Sequence, residues 1–476
     1  MVSYTHDIIV IGAGSGGLNI AGFMNKAGFN VLLVDKTDKS IGGDCLNFGC
    51  VPSKALINTS HIINSAKQAQ RFGLKISGTT DIKKIMKYVD NKKETIRKHE
   101  NASYFRKNGM DVKLGLAKFT GKNSITIGNS KKQYQAKYII LATGARPRLL
   151  KLKGIEKVKY ETNETIFNLK ILPKKMLIVG AGPIGIELGQ AFQRMGSQVT
   201  VIEKGEKFLP KEDPDIAKLL QDKIQKEGMK IHFHCETIEF TNKNTLKVRD
   251  TKTKKTLDFK FDTILVSIGR QLNIDNLNLK AANIQLDESK NRLKVDKYLR
   301  TTNKNIFVCG DVAGSYQFTH TAEMHAAVIL RNFFTPRIFW KKMNYDKIAW
   351  VTYTDPEIAT FGLNTEQLQK RKIQFEEMIH DFKTDDRAIA TESTEGKVKL
   401  YISKKGRILG GTMIGKHAGE LMQELILANS ANLHIKHFMN KVYPYPTASR
   451  INKYTLRPYF ARKLNNFSKK IIKLLY

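Results

Sequence analysis

Two copies of one glycine-rich turn constrain the fold of this chain most strongly. In each copy a short apolar run leads into the pattern G-x-G-x-x-G and a helical stretch. An acidic residue then closes the next apolar run, 23 residues after the first glycine: Asp35 in the first copy and Glu203 in the second. Strand, tight turn, helix and strand in this order are the context in which the glycine pattern indicates a dinucleotide site. The chain is therefore predicted to be α/β, with two Rossmann-like dinucleotide-binding domains.

Each glycine of the pattern has a separate task. The first makes the tight turn, the second lets the backbone approach a pyrophosphate, and the third packs the helix on the strand. The glycines concerned are Gly12, Gly14 and Gly17 in the first copy and Gly180, Gly182 and Gly185 in the second. Glu203 favours NAD(H), because a carboxylate binds a ribose 2′-hydroxyl and would repel a 2′-phosphate. Lys204 and Lys207 could receive a phosphate, and they keep NADP(H) possible.

A pair of cysteines five residues apart lies between the two copies. Cys45 and Cys50 belong to the run GGDCLNFGCVPSK, and the stretch after it is predicted to be helical. Pro52 suits a first helical turn, which would place Cys50 at the positive end of a helix dipole, where a thiolate is favoured. Two sulfurs in reach can exchange between dithiol and disulfide. A pair of buried, inert cysteines is the alternative on spacing alone, and two cysteines cannot complete a structural zinc site.

The run around the cysteines closely resembles the redox-active segment of the pyridine nucleotide-disulfide oxidoreductases. This flavoprotein family includes dihydrolipoamide dehydrogenase, glutathione reductase and mercuric reductase, and the resemblance covers residues from about 5 to 452. It implies that the first glycine copy binds FAD and the second NAD(H). It also implies that Lys54 and Glu187 pair beside the flavin, that Cys50 is the flavin-side thiol, and that Cys45 is the thiol that meets substrate.

Further segments extend the resemblance. ATGARP resembles the segment that crosses between the two nucleotide domains, and CGDVA resembles the family's second FAD segment. The FAD residues implied are Gly12, Gly14, Gly17, Asp35, Lys54, Thr143, Gly144, Gly310 and Asp311, and the NAD(H) residues implied are Gly180, Gly182, Gly185, Glu203 and Gly269. No metal ligands are expected.

The resemblance also implies a domain order and a homodimer. The expected parts are an FAD-binding domain over 1–148 and 270–340, an NAD(P)-binding domain over 149–269, an α+β dimerisation domain over 341–452, and a basic C-terminal tail over 453–476.

The chain departs from the family at the end of the dimerisation domain. Disulfide-reducing members carry H-P-T followed three residues later by glutamate, and the histidine is the acid-base group for the other subunit's exchange thiol. Here Tyr445 replaces the histidine and Arg450 the glutamate. A phenol with an ordinary pKa near 10 is a poor proton shuttle at neutral pH. Tyrosine at this position is similar to mercuric reductase, but no cysteine follows Cys309 to supply that enzyme's C-terminal pair.

We therefore expect NADH, FAD, the Cys45–Cys50 disulfide and a small electron acceptor to act in sequence, in the manner of a mercuric reductase. Tyr445 of a partner subunit would line the acceptor pocket. One alternative is a dihydrolipoyl dehydrogenase that works without the His–Glu pair. The other belongs to a different class: a basic flavoprotein tethered to a membrane or nucleic acid, with binding as its main role.

The charge of the chain is strongly positive. Lys and Arg number 80 against 44 Asp and Glu, a net charge of +36. This balance suits nucleic acid, an anionic membrane or anionic substrates. The chain shows no nucleic-acid module, so lysines scattered over a solvated surface are favoured and a nucleic-acid partner is not expected.

The tail predicts a basic amphipathic helix from Arg457 to Tyr476, with an apolar stripe of Phe460, Leu464, Phe467, Ile471 and Leu474. This helix would lie on an anionic membrane or on the protein's own surface. The sequence shows no transmembrane run and no secretory signal, and four cysteines imply no disulfide framework. We expect a cytoplasmic protein that could contact the inner membrane surface peripherally.

Overall fold

The computed structural model describes residues 4–289, 291–462 and 466–476. The first part of the chain forms seven strands and five helices: β1 (His6–Ile11), α1 (Ser15–Lys26), β2 (Val31–Asp35), α2 (Gly43–Asn47), α3 (Cys50–Ala69), α4 (Ile82–Arg97), α5 (Ala102–Lys107), β3 (Asp111–Leu114), β4 (Ala117–Gly121), β5 (Ser124–Ile127), β6 (Tyr134–Leu141) and β7 (Ala145–Pro147).

The central strands of this part lie parallel, as the unbroken apolar runs predict. The strand order is β3–β2–β1–β6–β5–β4, with β1 between β2 and β6. Residues 8–11 of β1 and 31–34 of β2 are buried, because helices cover both faces of a parallel sheet. The tight turn after β1 and the start of α1 therefore lie at the carboxyl edge of the sheet, where α/β folds bind ligands.

The second glycine copy opens another α/β unit. Its elements are β8 (Lys175–Val179), α6 (Pro183–Met195), β9 (Gln198–Ile202), α7 (Pro214–Lys226), β10 (Lys230–His232), β11 (Cys235–Asn242), β12 (Thr245–Asp250), β13 (Thr256–Lys260) and β14 (Thr263–Val266). Strands β10–β9–β8–β14 form a parallel sheet, and β11–β12–β13 form a separate antiparallel one.

The chain then returns to the first unit. Strand β15 (Arg270–Leu272) pairs with β7, and β16 (Ile306–Val308) joins the first sheet beside β6. Helix α8 (Thr319–Phe333) follows and packs against α1. The first sheet is thus built from chain segments on both sides of the second glycine unit.

The last part is an antiparallel sheet with helices, in the strand order β17–β18–β21–β20–β19. Its elements are β17 (Ala349–Thr352), β18 (Glu357–Gly362), α9 (Thr365–Lys370), β19 (Phe375–Asp381), α10 (Asp386–Ala390), β20 (Lys397–Ser403), β21 (Ile408–Gly415), α11 (Ala418–Leu421), α12 (Gln423–Ser430), α13 (Lys436–Asn440), α14 (Arg450–Ala461) and α15 (Asn466–Leu475).

The tail differs from the single helix predicted over 457–476. Helix α14 packs on β19 and buries Leu456, whereas α15 is a separate helix in which Ile471 and Leu474 are exposed. Phe460 is half-buried against the core of the last part. Leu464 and the side chain of Phe467, two members of the predicted stripe, lie outside what the structure describes.

Candidate active site

One large cavity lies where the three parts of the chain meet. Its volume is about 1700 Å³, and both glycine turns and both residues of the cysteine pair line it. Residues 349–351 and 353, in and directly after β17 at the edge of the antiparallel sheet, also line the cavity. A single connected space therefore joins the two predicted dinucleotide sites to the predicted redox pair.

The first glycine turn is shaped as the pattern requires. Gly12 has φ +106°, and a Cβ there would lie 2.3 Å from the carbonyl oxygen of Ala142. A Cβ on Gly17 would lie 1.9 Å from the carbonyl oxygen of Gly12, so helix and strand approach closely only because both residues are glycine. The Asp35 carboxylate accepts a hydrogen bond of 2.6 Å from the backbone N–H of Ala13. This contact fixes the predicted ribose-binding residue beside the turn.

The second turn repeats this geometry. Gly180 also has φ +106°, and a Cβ on Gly185 would lie 2.4 Å from the carbonyl oxygen of Gly180. The Glu203 carboxylate accepts hydrogen bonds from the backbone of Ala181 at 2.8 Å and of Gly205 at 2.7 Å. Nothing lies within 4 Å of a Cβ built on Gly182, which leaves open space where a pyrophosphate would approach.

The charges near Glu203 bear on the choice of nicotinamide cofactor. Lys204, which could have received a 2′-phosphate, forms an ion pair of 3.0 Å with Glu236. Its charge is thereby partly neutralised. Gly269, the other predicted NAD(H) residue, has φ +107° and lines the same cavity.

The two cysteines of the pair are free thiols that belong to consecutive helices. Cys45 lies in α2, and Cys50 is the first residue of α3, with Pro52 in the same turn as predicted. The Cys50 sulfur lies 3.3 Å from the hydroxyl oxygen of Thr319, at the start of α8. Cys235 and Cys309 are buried elsewhere in the chain.

The pair shares its protons unequally. A hydrogen bond from Cys45, the Thr319 hydroxyl and the charge of Lys54 outweigh burial and lower the pKa of Cys50 to about 6. The pKa of Cys45 is raised well above its ordinary value, first by its hydrogen bond to Cys50 and then by burial. At neutral pH the reduced pair is therefore a Cys50 thiolate beside a Cys45 thiol.

Lys54 and Glu187 form the ion pair that the sequence predicts. The Lys54 ammonium lies 3.0 Å from one Glu187 oxygen, and the other Glu187 oxygen accepts a hydrogen bond of 2.9 Å from the backbone N–H of Tyr353. The ammonium also lies 4.2 Å from the centroid of the Tyr353 ring. Burial alone would lower the pKa of Lys54, but the Glu187 carboxylate more than offsets it, and the pKa is raised. Lys54 is thus held as a cation beside Cys50.

A buried arginine, which the sequence interpretation did not single out, connects two predicted segments. Arg270 forms ion pairs with Asp44 of α2 at 2.9 Å and with Asp311 at 3.2 Å. It also donates to the carbonyl oxygen of Ala145 at 3.0 Å. Its position directly after Gly269, inside a recognised motif, was the available signal. Thr319 was missed as well, because a lone threonine before a helix has no distinctive pattern.

The polar atoms of the first site fit a bound flavin dinucleotide. The hydroxyl oxygen of Thr143 and the Nε of Arg270 are buried without a hydrogen-bond partner among the described residues. Gly144, with φ +69°, and Gly310, with φ +80°, line the cavity next to Thr143 and Asp311. Unpartnered buried donors at a cavity wall are costly unless a ligand satisfies them. Thr143, Arg270 and the glycine cradle would hold FAD here.

Tyr445 lies apart from this cavity in its own chain. Its side chain is 66% exposed, and its hydroxyl donates a hydrogen bond of 3.3 Å to a carboxylate oxygen of Asp386. The Arg450 guanidinium lies 5.1 Å from the centroid of the Tyr445 ring. The nearby Asp386 charge raises the pKa of Tyr445 above its ordinary value, so the phenol is a hydrogen-bond donor. That Tyr445 lines the acceptor pocket of a partner subunit stays a prediction.

The comparisons with known proteins decide the family. Residues 6–326 match the family model described as pyridine nucleotide-disulphide oxidoreductase, and residues 348–454 match its dimerisation domain. The chain belongs to this family. It is therefore an FAD-dependent oxidoreductase that uses NAD(P)H, with the mixed α/β fold that the sequence predicted. The match to the dimerisation domain supports a homodimer.

Relatives that are named for different substrates have similar sequence identity to this chain. The mitochondrial dihydrolipoyl dehydrogenase of Dictyostelium discoideum is 32% identical over 455 residues, covering 93% of this chain and 92% of the relative. A mercuric reductase of Lysinibacillus sphaericus is 28% identical over 445 residues, covering 93% and 80%. A solved structure of the HOCl-induced flavoprotein disulfide reductase RclA from Escherichia coli is 25% identical with a TM-score of 0.80, covering 94% and 99%. Identity alone does not select an acceptor.

Membrane-spanning helices and metal-binding clusters are both absent from the described residues. None of the helices in that part of the chain is both long and apolar enough to span a bilayer. No group of three or more His, Cys, Asp or Glu side chains there is placed to hold a metal ion.

Proposed function

We propose that this protein transfers electrons from NADH, through FAD and the Cys45–Cys50 disulfide, to a small acceptor whose reduction needs no protein base. The observation that carries the proposal is the Tyr445–Asp386 hydrogen bond, in which the carboxylate raises the pKa of the phenol. A phenol held protonated in this way cannot accept a proton from an exchange thiol near neutral pH. The acceptor half of the reaction therefore resembles that of mercuric reductase more than that of dihydrolipoyl dehydrogenase.

The cysteine pair is prepared for the reductive half. Bound FAD would take the hydride of NADH and pass its electron pair to the disulfide. Breaking the S–S bond with one hydride equivalent yields one thiolate, one thiol and NAD⁺, with no further proton needed. The pKa values of Cys50, about 6, and of Cys45, raised, match this product state. Lys54 and Thr319 stabilise the thiolate once it forms.

A soft metal cation is the acceptor class that this pair favours. Thiolates are soft ligands, so Hg(II) or Cu(I/II) as substrate can bind the Cys50 thiolate and displace the proton of the Cys45 thiol, without a further protein ligand. One relative is named a mercuric reductase, and RclA has been solved as a Cu(II) complex. When the Cys50 thiolate and the Cys45 thiol form the disulfide again, they supply two electrons and release the Cys45 proton to water. The electrons reduce one Hg(II) to Hg(0), or two Cu(II) to two Cu(I).

Lipoamide is the second candidate, because several relatives at 30–32% identity are dihydrolipoyl dehydrogenases. We would follow NADH oxidation by the purified protein with lipoamide, with Hg(II) and excess thiol, and with Cu(II), in parallel. The proposal expects turnover with a metal ion that is abolished in Cys45→Ser, and little turnover with lipoamide. Rapid lipoamide reduction would refute it and show that Tyr445 is compatible with disulfide exchange.

We also propose that the tail contacts an anionic membrane. In α15 the apolar residues Ile471, Ile472, Leu474 and Leu475 are exposed, and three lysines occupy the opposite side of the helix. No acidic side chain follows Glu424 in the sequence. Deleting residues 466–476 should reduce sedimentation with vesicles that contain phosphatidylglycerol. Unchanged sedimentation would exclude the tail as a membrane contact.

A further inference from the structure

A second group of exposed apolar side chains lies on the outer face of the first α/β unit. It comprises Phe23 of α1, Phe334 after α8, and Ile338 and Phe339 in the loop that follows, and we call it the aromatic patch. These side chains are 49%, 50%, 84% and 64% exposed, respectively. Phe334, Ile338 and Phe339 lie within six residues of one another in the chain. Large apolar side chains exposed so close together indicate an interaction surface.

The patch is a fixed part of the fold. The rings of Phe23 and Phe334 lie 5.9 Å apart, centroid to centroid, which joins α1 to the end of α8. The loop beyond is held by two hydrogen bonds between Asn332 and the backbone of Lys341, at 3.0 and 2.8 Å. The indole N–H of Trp340 donates to the carbonyl oxygen of Thr335 at 3.0 Å. The loop therefore presents Ile338 and Phe339 outward while its base is anchored.

Positive charge surrounds the patch. The segment 324–345, which carries Phe334, Ile338 and Phe339, contains no Asp or Glu, and neither does 8–34, which carries Phe23. The basic residues of these segments that are exposed are Lys26, Arg331, Arg337, Lys341 and Lys342.

Asp296, a carboxylate near this loop, is already neutralised. Asp296 precedes Lys297, whose carbonyl oxygen accepts from the backbone of Met343, and it forms an ion pair of 2.9 Å with Arg300. The Arg300 guanidinium in turn lies 5.1 Å from the centroid of the Trp340 ring. The electrostatic potential at the patch is therefore positive.

We propose that the aromatic patch docks on an anionic phospholipid surface. Ile338 and Phe339 would enter the boundary between headgroups and acyl chains, and the flanking lysines and arginines would contact the anionic headgroups. A second copy of the patch is a poor occupant, because two strongly positive surfaces would face each other. Nucleic acid would bind the positive charge, but it would leave the exposed aliphatic side chain of Ile338 without an apolar partner.

The patch acts independently of α15, since it belongs to a different part of the chain. Single apolar insertions hold proteins only weakly at membranes, and stable attachment takes two signals. The patch and the tail would provide two, and removing either one should weaken binding in the presence of the other.

The test uses the full-length FAD-loaded protein and sedimentation with two kinds of vesicle. One kind is phosphatidylcholine alone, and the other contains phosphatidylglycerol as well. The double variant Ile338→Ser/Phe339→Ser should bind the anionic vesicles at least about tenfold less tightly, because it removes two inserted side chains. Ile171→Ser is the matched control, since Ile171 is 79% exposed but lies outside the patch, and it should bind like the wild type. Lys341→Glu/Lys342→Glu should also weaken binding, and only to the anionic vesicles.

The same double variant in a chain without residues 466–476 separates the patch from the tail. NADH oxidation in solution should be unchanged in all these variants, which shows that they fold and keeps this test separate from that of the proposed function. Wild-type binding by the double variant would overturn the proposal. A smaller oligomer in the double variant would also overturn it, because the patch would then be a contact between copies of this chain. So would a wild-type protein that is retained on DNA but not on vesicles.

Discussion

Replacing Thr319 by valine should raise the pKa of Cys50 by about one unit. The Thr319 hydroxyl lies 3.3 Å from the Cys50 sulfur and favours the thiolate. A hydrogen bond to a charged group contributes about 1.5–3 kcal/mol, and one pKa unit corresponds to about 1.4 kcal/mol. Because Cys50 faces an open cavity, water would replace part of the lost bond, and we take the lower end of the range. Valine keeps the shape of threonine, so the change is confined to the hydroxyl.

The assay is the rate of iodoacetamide alkylation of Cys50 against pH, in protein reduced beforehand and analysed by peptide mass. The thiolate is the reactive form, so the midpoint of the rate profile reports its pKa. The wild type should show a midpoint near 6, Thr319→Val one near 7, and Thr319→Ser, which keeps the hydroxyl, one near that of the wild type. An unchanged midpoint in Thr319→Val would refute the reasoning and leave Cys45 and Lys54 as the stabilising groups.

Three other changes have defined outcomes. Tyr445→His combined with Arg450→Glu should raise turnover of lipoamide about a hundredfold, because it restores an acid-base pair, whereas either change alone should give little. Glu203→Ser should raise KM for NADH about tenfold and leave kcat nearly unchanged, since the contact that we expect it to lose is to the ribose; an equal loss in kcat would contradict this role. The buried carboxyl of Glu212 has a raised pKa, so the folded state favours its protonated form and loses stability as pH rises above about 4.5. The Tm of Glu212→Gln should therefore exceed the Tm of the wild type by more at pH 8 than at pH 5.

The sequence predicted those parts of the site that depend on backbone geometry. Gly12 and Gly180 have the same φ, and Asp35 and Glu203 each accept a hydrogen bond from the residue after the first glycine. Few residue types can adopt the backbone conformation of a tight turn, so the turn can be predicted from the local sequence. The Lys54–Glu187 ion pair was predicted from the family resemblance, because no local rule joins residues so far apart in the chain.

The parts that were missed depend on side chains that meet only after folding. Arg270 reaches Asp44 and Asp311 across three separate segments, and Thr319 reaches Cys50 over 269 residues of sequence. The tail shows the opposite error. Its apolar spacing predicted one helix over 457–476, but Phe460 packs against the core of the last part whereas Leu474 is exposed, so the two ends of the tail differ. Periodicity reports which face is apolar and not what covers it.

The two halves of the reaction rest on different groups of residues. Cys50, Lys54, Glu187 and Thr319 come together within one chain, and their contacts are complete there. Tyr445 is exposed and does not line the cavity that contains both cysteines. Reduction of the disulfide by NADH should therefore proceed whatever replaces the histidine, because none of its groups contacts Tyr445. We therefore expect the identity of residue 445 to affect the choice of acceptor and not the reduction of the disulfide.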